Sequence, residues 1–112
     1  MRVERTRHME TEEHSESIEK TDHCRVTVRY EGRVQGVGFR WSTVRIAAAF
    51  PVTGFVRNEP DGTVRMTAEG RRRDLEAFLH AIEESHLGRF IRHRHIVWSA
   101  ADGSFRSFEI RH

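Results

Sequence analysis

Arg25-Val26-Thr27-Val28-Arg29-Tyr30-Glu31-Gly32-Arg33-Val34-Gln35-Gly36-Val37-Gly38-Phe39-Arg40 passes from a strand pattern to a helix start through three glycines. Its first six residues alternate apolar and polar with period two, as a strand with one buried face does. From Phe39 to Phe50, Trp41, Val44, Arg45 and Ala48 recur at helical spacing, Ala47 and Ala49 favour the helix, and Pro51 stops it. Between the two, the glycines allow successive backbone N–H groups to turn toward one point. The following helix adds its positive end and Arg40 a forked cation, so the run reads as an anion cradle. It matches neither common nucleotide loop. The Lys-Ser/Thr pair of a Walker loop is missing, and Trp41 stands where a dinucleotide fingerprint has its third glycine.

Working outward, Thr53-Gly54-Phe55-Val56-Arg57-Asn58 and Thr63-Val64-Arg65-Met66-Thr67-Ala68-Glu69 flank the turn formers of Glu59-Pro60-Asp61-Gly62 and predict a hairpin. Leu75, Phe78, Leu79 and Ile82 follow at i, i+3, i+4 and i+7, which predicts an amphipathic helix from Arg71 to Ser85 with Gly88 beyond its end. Arg71, Arg72 and Arg73 in its first turn oppose the helix dipole, and no compensating partner is evident from the sequence. Ile91–Ser99 and Phe105–Arg111 read as closing strands joined by Ala101-Asp102-Gly103-Ser104. The order β, α, β, β, α, β predicts an α+β fold: a ferredoxin-like sandwich whose mainly antiparallel sheet carries two helices on one face.

With 112 residues, one domain is expected. Residues 1–22 are rich in Arg, Glu, Thr, His and Ser, with Val3, Met9 and Ile18 too sparse to build an apolar face, so a disordered charged tail is expected there and the folded domain over 23–112. Cys24 is alone, which excludes an intramolecular disulfide or a multi-cysteine metal site and agrees with a reducing, cytoplasmic compartment. No stretch approaches the apolar length of a membrane span or a signal peptide, so no membrane partner is expected. A formal net charge of +2 makes no case for nucleic acid.

Two blocks at a fixed interval narrow the reading. Gly32 to Arg40, followed eighteen residues after that arginine by Asn58 within Gly54-Phe55-Val56-Arg57-Asn58-Glu59-Pro60-Asp61-Gly62-Thr63-Val64, resembles the acylphosphatase family. The likeness runs from Arg25 to the closing Phe108-Glu109-Ile110-Arg111. It implies hydrolysis of small acyl phosphates to a carboxylate and inorganic phosphate, with no metal or organic cofactor, and a monomer is expected. Carried over by position, Arg40 corresponds to the phosphate-binding arginine and Asn58 to the water-orienting asparagine. Val34, Gln35, Gly36 and Val37 correspond to the loop whose amides hold the phosphate. Phe55 replaces a frequent tryptophan, and Phe50-Pro51-Val52 replaces a Leu-Gly-Leu-like helix exit; both bear on packing rather than on chemistry.

These residue types suit the reaction. An acyl phosphate loses a carboxylate whose conjugate acid has a pKa of roughly 4, so no strong general acid is needed and the protein has mainly to position and stabilise. Two rival classes stay open on sequence alone: a non-catalytic phosphate-binding module on the same fold, and a ferredoxin-like RNA-binding domain, for which Tyr30 and Phe55 are the candidate aromatics but neither signature block is complete. His93 and His95 share a strand face at metal-ligand spacing, with no third ligand evident.

Overall fold

The structure, a computed structural model, describes residues 10–15 and 23–112. Its elements in chain order are β1 (Glu10–Ser15), β2 (His23–Gly32), α1 (Phe39–Ala47), β3 (Thr53–Asn58), β4 (Val64–Arg71), α2 (Arg72–Glu84), a 3-10 turn (His86–Phe90), β5 (Ile91–Ala100) and β6 (Phe108–Arg111). The six strands form one sheet in the order β1-β5-β2-β4-β3-β6. β2 pairs antiparallel with both β4 and β5, and β3 antiparallel with β4; β1 on β5 and β6 on β3 are the parallel edges. The mainly antiparallel sheet with two helices is the expected α+β, ferredoxin-like arrangement, and the two strands that flank α1 are separated in it by β4.

The period-two pattern of β2 sends Cys24, Val26, Val28 and Tyr30 into the core, where they meet Leu75, Phe78, Leu79 and Ile82 of α2 and Phe39 and Ala47 of α1. Arg25, Thr27 and Arg29 take the opposite face. There the Glu69 carboxylate, only 5% exposed, accepts from Arg25 Nε at 2.8 Å and from the Asp102 and Gly103 amides at 3.1 and 3.0 Å. That anchor holds the segment after β5 as a loop, which is why the last strand begins at Phe108 rather than at Phe105 as the pattern suggested.

Two further differences have physical causes. β1 lies inside the segment whose composition predicted disorder, and it joins the sheet without an apolar face: its backbone pairs with β5 in register from Glu10↔His93 to Ser15↔Trp98. Glu13 accepts from Trp98 Nε1 at 2.8 Å. The remainder of the 1–22 segment lies outside the described residues. At the start of α2, Arg72 does have partners: Glu76 at 3.1 Å, one turn along, and the Trp98 ring, 3.7 Å from its guanidinium carbon to the ring centroid.

Phe78 ties the helical layer to the far edge of the sheet, fully buried, with its ring 5.4 Å from that of Phe108 in β6 and 5.8 Å from that of Phe50. Phe78→Ala is expected to cost about 3–5 kcal/mol, the scale for emptying an aromatic site in a packed core. A thermal melt checks this: the midpoint should fall by more than about 10 °C, since about 4–8 °C accompanies each kcal/mol in a domain of this size.

Candidate active site

The cradle lies between β2 and α1 and takes its shape from two left-handed glycines, Gly36 at φ 81° and Gly38 at φ 76°. Gly38 is the N-cap of α1; no side chain caps it, and no acidic residue occupies the first turn. The first amides of α1 therefore keep their donors, and the dipole end stays positive. Val34, wholly buried, pins the loop to the core, with Val37 partly buried beside it.

Arg40 enters on the first turn of α1, half-buried. Its Nη1 donates to the Arg111 carbonyl oxygen at 3.2 Å and lies 3.4 Å from Nδ1 of His112. Neither contact is with a carboxylate, so among the described residues the cation is held in place without being neutralised by an ion pair.

Asn58 ends β3, opposite Val64 in the ladder. The turn after it is heavily tied. Glu59 donates its N–H to the Thr63 carbonyl at 2.9 Å, and its carboxylate accepts from Arg57 Nε at 3.2 Å and Arg65 Nε at 3.1 Å. Asp61 accepts from the Thr63 amide at 3.0 Å and hydroxyl at 2.7 Å, bonds that favour its ionised form and hold its pKa below the ordinary carboxylate value. Gln35 bridges cradle and turn, its Nε2 donating to the carbonyls of Glu59 and Thr63 at 2.9 Å each. Its carboxamide thus braces the loop against the strand end that carries Asn58.

Val34, Gly36, Gly38, Phe39, Arg40, Trp41, Asn58, Ile110 and His112 line one cleft of about 220 Å³. The structure so brings together Arg40, Asn58, Val34 and Gly36 of the residues singled out by sequence. Gln35 and Val37 are not among the lining residues: the first is engaged in the brace and the second packs against the core. Ile110 and His112 were not legible: they arrive through the parallel pairing of β6 on β3, which no local pattern announces.

A cleft with this lining does not by itself name a family. A family model for acylphosphatase matches residues 26–110. The chain belongs to the acylphosphatase family. It is similar to the acylphosphatase of Salinibacter ruber, 45% identical over 87 residues that cover 78% of this chain and 92% of that one. To the acylphosphatase of Syntrophotalea carbinolica it is 40% identical over 87 residues, covering 78% of this chain and 95% of the relative. The crystal structure of acylphosphatase from Bacillus subtilis superposes with a TM-score of 0.73 at 28% identity, over 80% of this chain and 99% of that one. This acylphosphatase domain is accordingly a hydrolase of the acyl phosphate bond.

The other features of the sequence fall outside the cleft. Phe55 is 9% exposed, with the Arg111 guanidinium carbon 4.1 Å from its ring centroid and the Phe105 ring 5.8 Å away; Tyr30 is fully buried, and burial raises its hydroxyl pKa. Neither aromatic offers a base the open face that stacking requires. His95 Nδ1 lies 2.8 Å from Glu12 Oε1, and His93 Nε2 lies 3.8 Å from the same oxygen. Among the described residues no group of three or more His, Cys, Asp or Glu is arranged to hold a metal ion, and no helix is long and apolar enough to cross a membrane.

Proposed function

We propose that the domain hydrolyses small acyl phosphates with Arg40 and the amides of the Val34, Gln35, Gly36 and Val37 loop holding the phosphoryl group and Asn58 orienting the attacking water. The observation that carries this reading is the meeting of an unneutralised Arg40, an uncapped helix start and Asn58 on one cleft. Phosphoryl transfer spreads negative charge over the equatorial oxygens, and a guanidinium fork with preorganised N–H donors meets that charge without reorganising. Water forms a new O–P bond as the bond from phosphorus to the acyl oxygen breaks. The carboxylate leaves with the bonding pair, and a proton of the water ends on the phosphate.

Asn58 is not basic at neutral pH, but its carbonyl oxygen accepts from water while its NH₂ donates to a phosphoryl oxygen, which aligns the attack. The Gln35 brace supports this role by fixing the spacing between loop and strand end. The protein acts on this reading as a metal-independent monomer in the cytoplasm.

Inorganic phosphate, the product that fits the cradle, is expected to inhibit competitively against an acyl phosphate, and dialysis against EDTA is expected to leave turnover unchanged. Steady-state kinetics before and after dialysis test both. Activity lost to the chelator and restored by zinc or magnesium would remove the metal-independent mechanism.

A further inference from the structure

Trp41 is the large apolar side chain that the described residues leave in solvent, 60% exposed, and it lines the same cleft as Arg40 and Asn58. The core does not account for it. α1 buries Phe39, Thr43 and Ala47, and Trp41, two positions from both Phe39 and Thr43, projects away from that stripe. Its ring is nevertheless positioned, because the guanidinium carbon of Arg45, one turn along the helix, lies 5.3 Å from the ring centroid. The cleft is divided chemically: Arg40, Asn58 and His112 are polar, while Val34, Phe39, Trp41 and Ile110 are apolar.

An acyl phosphate has the same two-part character. Its phosphoryl end is anionic and its acyl end is neutral, joined through the oxygen whose bond to phosphorus breaks. With the phosphoryl group in the cradle beside Arg40, the acyl group extends toward the mouth, where the next residue in the chain presents an indole face. We infer that Trp41 forms an acyl subsite and that the substrates this domain favours carry a planar aromatic acyl group. The inference rests on the proposed phosphoryl cradle. A flat indole with one side open to solvent recognises a second ring by offset or edge stacking and offers a methyl group far less area.

The test compares benzoyl phosphate with acetyl phosphate on the wild type, Trp41→Ala and Trp41→Phe. The ratio of KM for acetyl phosphate to KM for benzoyl phosphate is expected to fall about fivefold in Trp41→Ala, the scale of one aromatic pair, and to stay close to wild type in Trp41→Phe, which keeps a ring. A ratio unchanged in Trp41→Ala, or both KM values rising together, overturns the subsite while leaving the hydrolase reading intact. A wild type that turns over neither substrate overturns both. Trp41 is surface-exposed, so its truncation leaves the core packing in place, and circular dichroism of each variant verifies the fold.

Discussion

Arg40→Ala is expected to lower turnover of an acyl phosphate by about 10³-fold or more, the scale on which an arginine contributes to phosphoryl transfer, while the domain stays folded. The guanidinium sits half-buried against a carbonyl and an imidazole rather than inside the core, so little packing is lost with it. The loss should appear in the ground state as well as in the transition state, because on the proposed reading the same fork holds the product phosphate. Arg40→Lys should fail to restore activity: an ammonium is a compact point charge and cannot keep the Arg111 carbonyl while presenting a paired donor to the anion. Isothermal titration with inorganic phosphate, on variants whose melting curves match wild type, reads this directly. Near-normal affinity in either folded variant would remove Arg40 from the phosphate site.

Asn58→Ala separates catalysis from binding. The carboxamide is expected to matter chiefly for the water, so turnover should fall by about 10²-fold or more, the scale for one preorganised polar group, with phosphate affinity changed much less. The turn beside it should survive, since Glu59, Asp61 and Gln35 hold it through bonds that do not involve the Asn58 side chain. Paired measurements on one preparation, steady-state kinetics and phosphate titration, give the contrast. Full turnover in Asn58→Ala would end the water-orienting role, and wild-type protein that binds phosphate without hydrolysing an acyl phosphate would leave a binding module in its place.

What could be read from the sequence follows the range of the forces involved. The strand pattern of β2, the apolar stripe of α2 and the turn chemistry of Glu59 to Gly62 are local, and each appeared where expected within a few residues. Arg40 and Asn58 were singled out because two motif blocks stood at a telling interval, not because either residue is distinctive alone, and the structure places both on one cleft. Illegible were the features made by distant pairing. Glu69 shortens the last strand by holding a loop more than thirty residues away, β1 joins an edge through backbone bonds that composition does not encode, and Ile110 and His112 reach the cleft across the sheet. Gln35 shows the same limit at one residue: its place in the loop was plain, but the direction of its side chain depended on where the β3–β4 turn came to rest.

The bond from Arg40 to the Arg111 carbonyl joins positions 71 residues apart, and its acceptor lies on a four-residue strand at the edge of the sheet. Short edge strands belong to the parts of a fold that open most readily. Each opening of β6 takes away the carbonyl to which the guanidinium donates, so on the proposed role of Arg40 catalytic competence is itself an equilibrium, scaled by the fraction of molecules in which the strand is docked. The linkage runs both ways. An anion that prefers the clamped arginine draws β6 home by mass action, and an occupied site thereby steadies an edge of the sheet.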